Sequence, residues 1–188
     1  MEPVSNPTAF DSPAATQPAP PQTLLRAGTW SVDDQRTQVR LGVPNMIWGT
    51  VRGTVAVASA TVLVGHDGHV QDVRAEIDLN SLDTGIARRD ADLRKPALLD
   101  IDQHPMMVFR THHIDFQEQG WAVRGDLEVR GRTVPLTLTV AQPDEESATA
   151  LHVVATAELD RRSAGIRAPS FLIGHRISII VDVWLDAP

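Results

Sequence analysis

From position 39 onward, apolar and polar residues take turns with a period of two. Val39, Leu41 and Val43 alternate with Arg40 and Gly42, and Val73, Ala75, Ile77 and Leu79 alternate with Arg74, Glu76, Asp78 and Asn80. The rhythm returns over 123–129, at Val134, Leu136, Leu138 and Val140, over 151–159 and over 177–183. Alternation sends one set of side chains to each face of an extended chain, so these segments are predicted as half-buried strands. The intervening stretches "GHDGH" (65–69), "RGRT" (130–133) and "QPDEES" (142–147) carry turn chemistry. Turns that short can join only antiparallel neighbours. An all-β chain of about eight strands with one apolar face fits either a closed up-and-down barrel or a two-sheet sandwich. Closure has the further merit of leaving no exposed edge.

One stretch breaks the rhythm: "SLDTGIARRDADLRKPALLDIDQHPMMVF", from Ser81 to Phe109. Asp83-Thr84-Gly85 turns the chain, Asp83 or Thr84 can cap a helix, Ile86, Ala87 and Leu93 give it a sparse apolar stripe, and Pro96 stops it. A short helix of about two turns is predicted, after which Met107 and Phe109 re-enter facing inward. Arg88, Arg89, Arg94 and Lys95 gather here, which raises the question of a basic site. Upstream, residues 1–23 are rich in Pro, Ala, Ser and Thr, as in "SPAATQPAPPQ", without apolar periodicity. That composition cannot offset ordering entropy, so a disordered tail is expected before a single domain over 24–188.

Composition narrows the chemistry. The formal charge is -7 and the pI near 5.4, the wrong field for a phosphate-backbone binder, so no nucleic-acid partner is expected. Cysteine is absent, which removes disulfides and thiolate chemistry. No secretory signal and no run of roughly 20 apolar residues is found, so no transmembrane segment and a cytoplasmic location are expected. Seven histidines are present. His66 and His69 fall on a turn, His112 and His113 are neighbours expected on opposite strand faces, and His104, His152 and His175 are isolated. No metal-ligand spacing, GxSxG elbow or phosphate loop occurs, so no metal, no catalytic residue and no cofactor are expected.

Five phrases fall in a recognisable order: "VRLGVPNMIWGTVRG" (39–53), "SLDTGIARRDADLRKPALLD" (81–100), "HPMMVFRT" (104–111), "VRGDLEVRGRTVPLTL" (123–138) and "LDRRSAGI" (159–166). Together they resemble the YceI-like family of lipocalin-like, polyisoprenoid-binding proteins of bacteria, across the whole domain after the tail. The resemblance implies an antiparallel eight-stranded lipocalin-like barrel with a short helical insertion, enclosing an elongated apolar cavity for a long-chain isoprenoid or similar amphiphile. It also implies that a homodimer is one available state. The chain departs from the family pattern at Asn45, where a histidine is usual, beside an unusual Pro44. Ala164 and the pair Leu98 and Leu99 stand where aromatics are usual, and Val55 and Ala58 stand where phenylalanines often do. The lining expected from this chain is therefore small and has few polar handles.

On that footing the chain is expected to be a non-catalytic binding or transport protein for a polyisoprenoid, an isoprenoid quinone or a fatty acid derivative. The tail is expected along Leu41, Val43, Val55, Ile77, Leu79, Met107, Phe109, Leu127, Leu136, Leu138, Val153, Ala164, Ile179 and Val181, with small Ala58, Ala155 and Ala157 leaving room. The head is expected near Asn45, Arg89 or Arg161, and 167–176, apolar at its centre between polar ends, is either a lid or simply a long hairpin connection. Two accounts of the rim remain open. Arg161 with Asp90, or Arg89 with Asp160, could form ion pairs bracing the corner, or an arginine could meet a phosphate or carboxylate of the ligand. Two rival functions are a hydrolase or isomerase using His112 or Asp90 as acid or base, and a filled barrel acting as an interaction module.

Overall fold

The computed structural model describes residues 24–188 apart from 48, 118–119, 148 and 169–172; the predicted tail and the centre of the 167–176 segment lie outside the described residues. Ten strands run in chain order: β1 (Gly28–Val32), β2 (Gln38–Asn45), β3 (Gly49–Val64), β4 (Val70–Asp83), β5 (Met106–Gln117), β6 (Gly120–Val129), β7 (Arg132–Ala141), β8 (Asp144–Ser147), β9 (Ala150–Asp160) and β10 (Arg176–Asp186). One helix, α1 (Ala87–Leu93), lies between β4 and β5.

Every pairing is antiparallel, and the ladder β2-β3-β4-β5-β6-β7-β9-β10 returns to β2. The sandwich is thereby excluded: this is a closed eight-stranded barrel. β1 occupies the same slot as β2, pairing with β10 at Ser31–Asp186 and with β3 from Gly28–Val64. The two are one barrel strand interrupted by residues 33–37, and the loop is pinned to β10, where Trp184 N–H donates to Thr37 Oγ1 at 3.0 Å. β8 is an extra edge strand against β9, where the sequence predicted only a turn.

Two connections show local physics setting the path. Arg130 and Gly131, both at positive φ (52° and 64°), form the two-residue turn between β6 and β7, the backbone twist that suits antiparallel hairpins. Helix α1 spans two turns, as its sequence predicts, but its capping differs. Ile86 is the N-cap and offers no side-chain cap. Instead Asp83 Oδ1 accepts from Gly85 N–H at 2.7 Å, and Asp90 reaches back from the first turn to accept from Thr84 N–H at 3.1 Å and from the Thr84 hydroxyl.

The barrel has two distinct ends. The helix end gathers the β2–β3 hairpin tip, the α1 corner, the 130–131 turn and the β9–β10 connection. The opposite end gathers the β3–β4, β5–β6 and β7–β9 connections, the start of β1 and the end of β10, and is plugged by buried Trp30, Val64, Leu151, Val153 and Leu185. Among the described residues no helix is long and apolar enough to cross a membrane.

Candidate functional site

Alternate side chains of all eight barrel strands converge on a cavity of about 220 Å³ that extends along the barrel. The lining is apolar except for Thr37, whose hydroxyl oxygen is already engaged by Trp184 N–H. Among the described residues no Asp, Glu, His, Lys or Arg lines it. Several wall residues, among them Val73, Ala75, Met107, Ile179 and Val181, are only half-buried although they point inward. Their free surface faces the void, so the interior is incompletely filled. The filled barrel is thereby set aside. An eight-stranded barrel is of a size that can either pack solid or hold one small ligand.

The structure brings most of the sequence-predicted lining together. Leu41, Ile77, Leu79, Met107, Phe109, Leu127, Leu136, Leu138, Val153, Ile179 and Val181 all stand on the cavity wall, as does Ala155. Four expected positions do not. Val43 and Asn45 lie past the rim in the β2–β3 hairpin, Val55 is buried among Val39, Val57 and Ile77, and Ala164 is fully enclosed beside Val129, Leu159 and Ile166. Asn45 shapes its own turn, its Oδ1 accepting from Ile47 N–H at 2.9 Å. Ala157 stays off the wall, and Ala58, exposed next to buried Val57, points outward as alternation requires, while register shifts at Thr54/Ala56 and Val57/Ser59 reset the alternation of β3 and bring Ala60 and Val62 inward. The wall residues that alternation missed, such as Val57, Ala60, Val62 and Trp121, follow from these same shifts and from strands whose pattern is less regular.

The rim arginines are also placed differently. Arg161 is buried at 3% exposure and pairs with no carboxylate. It donates to four carbonyl oxygens, those of Gly174, Ile166, Ala168 and Ile173, at 2.8 to 3.1 Å. Its role is to organise the β9–β10 connection. Arg89 donates to Thr84 Oγ1 at 2.7 Å and Thr84 O at 2.6 Å, so Arg89 and Asp90 clamp the same threonine from both sides. Neither expected ion pair forms: Asp160 pairs with Arg162 at 2.5 Å. That contact, chiefly the Arg162 side-chain hydrogen bond, holds the Asp160 carboxyl well below the usual carboxylate range. Arg130 donates to Pro96 O at 2.6 Å and to Gly165 O, tying corner and connection together.

The histidines remain outside the cavity. A register shift between Thr111 and His113 leaves both His112 and His113 exposed, His112 toward Asp126 at 3.7 Å and His113 toward Asp115 at 2.8 Å. They do not take opposite faces, and His112 cannot serve an interior reaction. His152 bonds Asp182 at 2.7 Å and stacks on Trp184 at 4.7 Å, over which Arg36 lies at 3.4 Å. This cluster braces the barrel exterior. Among the described residues no group of three or more His, Cys, Asp or Glu could hold a metal ion.

Comparison with known proteins agrees with this geometry. The family model described as "YceI-like domain" matches residues 30–185. UPF0312 proteins of Yersinia enterocolitica and Yersinia pestis are 35% identical over 66 residues, 35% of this chain and 34% of theirs. The matched segment thus spans about a third of the curated relatives' length. Among solved structures, Burkholderia cenocepacia BcnA is similar with a TM-score of 0.69 and 18% identity, covering 81% of this chain and 98% of BcnA. A polyisoprenoid binding domain from Saccharophagus degradans, implicated in plant cell wall breakdown, has a TM-score of 0.61 and 15% identity, covering 85% and 98%. The YceI protein of Campylobacter jejuni has a TM-score of 0.60 and 13% identity, covering 73% and 85%. At these identities the structural likeness is one of fold.

Proposed function

The chain belongs to the YceI-like domain family, and from that premise we propose that it is a non-catalytic carrier that holds the hydrocarbon chain of an amphiphile inside its barrel. The observation that carries this reading is the cavity: continuous, unfilled and, among the described residues, without a titratable group on its wall. An engineered apolar cavity of about 150 Å³ in another protein stays dry and takes up benzene. A void of about 220 Å³ lined by Val, Leu and Ile is a better host for hydrocarbon than for water.

Size also limits the guest. Pockets for drug-sized ligands run from about 300 to 1,000 Å³, so this cavity suits one unbranched or prenyl chain better than a bulky ring system. Each buried CH₂ contributes about 0.8 kcal/mol, so the roughly eight carbons that a void of this size encloses give on the order of 6 kcal/mol before losses in motion and ordering. Such a ligand needs no polar anchor in the wall. That the Saccharophagus domain is described as polyisoprenoid-binding supports an isoprenoid, and a quinone or fatty acid derivative meets the same chemistry. The enzymatic rival loses its acid or base, because Asp90 is bonded to Thr84 and His112 is outside.

The test is organic extraction of the purified protein followed by mass spectrometry, with uptake of an apolar fluorophore by delipidated protein. A recurring long-chain species at near-stoichiometric amounts is expected. Native material that repeatedly yields no lipid and takes up no fluorophore ends the carrier reading.

A further inference from the structure

Charge is uneven along the barrel axis, and exposed apolar side chains stand at its basic end. At the helix end three large apolar side chains stand in solvent: Met46 at 82% exposure, Ile47 at 62% and Ile86 at 52%. The first two sit on the tip of the β2–β3 hairpin, and the tip is held in position. Gly174 N–H donates to Pro44 O at 2.8 Å, Asn45 bridges to Ile173, and Asn45 Oδ1 fixes the turn through Ile47 N–H. Met46 and Ile47 are therefore presented outward on a braced support.

The surroundings are basic. The described segments 45–47, 49–53, 83–105, 130–132, 158–168 and 173–176, which build this end, hold eleven Arg and Lys against seven Asp and Glu, in a chain whose formal net charge is -7. Arg52, Arg88 and Arg167 are exposed, and none has an ion pair among the described residues. The opposite end reverses the charge. Leu24, Leu63 and Phe116 are exposed there too, but the described connection residues 65–72, 115–117, 120, 142–147 and 149 hold six Asp and Glu and no Arg or Lys, against exposed Arg26 before β1 and Arg124, which pairs with Asp115 at 2.9 Å.

We infer that the helix end docks on an anionic lipid surface, with Met46, Ile47 and Ile86 entering the interface and Arg52, Arg88 and Arg167 meeting lipid phosphates. Interfacial binding scales with buried apolar area plus attraction to anionic head groups, and each basic side chain near such a surface adds to it. A protein partner fits less well, since three isolated side chains fall far short of the roughly 800 Å² per partner of a stable interface. The acidic opposite end is repelled by the same surface, which orients the barrel. This inference holds whatever the cavity carries.

Co-sedimentation of the full chain with vesicles tests it. Wild-type protein is expected to sediment with phosphatidylcholine vesicles containing 30% phosphatidylglycerol, to ignore pure phosphatidylcholine, and to be released as salt is raised from 50 mM to 500 mM. The double variant Met46→Asp, Ile47→Asp and the triple variant Arg52→Glu, Arg88→Glu, Arg167→Glu should each lose binding by about tenfold or more, and Leu63→Asp should leave it unchanged. All of these positions are exposed, so circular dichroism and fluorophore uptake should match wild type. Absence of wild-type binding to the anionic vesicles overturns the inference. So does wild-type-like binding by the hairpin variant, or an equal loss in Leu63→Asp. Failure of the carrier reading would register in lipid extraction instead, without touching sedimentation.

Discussion

At the scale of single residues, the sequence directs attention to arginines, and the structure reassigns most of them from ligand to backbone. Arg161 is a cation at 3% exposure whose charge is balanced by four carbonyl dipoles. Hydrogen bonds to a charged group contribute about 1.5–3 kcal/mol each, and buried acceptors left unmade cost about 1–3 kcal/mol. Some carbonyls would rehydrate, so Arg161→Leu should destabilise by about 3 kcal/mol, a fall of roughly 6–12 °C in Tm for a chain of this size. Arg161→Lys should recover only a fraction, because an ammonium lacks the planar fork. Thermal unfolding of the two variants checks both outcomes. Asn45 allows a sharper distinction. It sits past the rim and closes a turn, so Asn45→His should leave the profile of extracted lipid unchanged; a changed profile would return Asn45 to the ligand. Asp160 gives the pH term. Its carboxyl is held below the ordinary value of 3.8 by the Arg162 hydrogen bond, so the pair's contribution is present above pH 3.8 and is lost only as pH falls through the lower folded value. Asp160→Asn should therefore lower Tm by the same small amount at pH 5 and pH 7. The four partners of Arg161 were not legible in the sequence, since carbonyl acceptors leave no trace in residue type.

At the scale of elements, the strands were legible because closure requires each to bury one face, and alternation records that requirement directly. Val73 to Asn80 is the clearest case: its apolar members point inward along β4 and its polar members outward. What alternation cannot record is a register shift. Counting in twos puts His112 and His113 on opposite faces, but the shift between Thr111 and His113 leaves both exposed, and the shift between Val57 and Ser59 brings Ala60 and Val62 to the wall. The extra strand β8 was hidden for a different reason: "DEES" has no apolar face to alternate with, and it pairs only along the edge of β9. A strand feature that no pattern announces is the packing of the Phe109 ring over Gly125, the partner of neighbouring Thr111. A Cβ on Gly125 would lie 2.3 Å from Arg110 O and 2.6 Å from the Phe109 ring, so the missing side chain is what lets that ring lie flat against β6. Gly125→Ala should force the ring inward and cost about 1–3 kcal/mol by overpacking. Fluorophore uptake should fall together with Tm; an unchanged uptake would mean that the strand yields and the ring does not.

At the scale of the whole molecule, closure and incomplete filling are in tension, because an unfilled apolar void forfeits packing that a slightly larger side chain would supply. That tension makes the cavity testable without knowing the ligand. Ala155 lies on the wall at 5% exposure, paired with Val181 across β9 and β10, and faces directly into the void. Ala155→Phe should occupy space that is empty in the lipid-free protein, adding about 1–2 kcal/mol from buried apolar surface and raising Tm by roughly 2–8 °C, while abolishing fluorophore uptake and lipid retention. A void kept open for a ligand should thus exchange function for stability at a single wall position. Ala58→Phe is the matched control, since the same increase in volume projects from the outer face and should leave uptake as it was. Were Ala155→Phe to destabilise the barrel while the protein still took up the fluorophore, the interior would be adapting around its contents, and the cavity seen here would not be the one that binds.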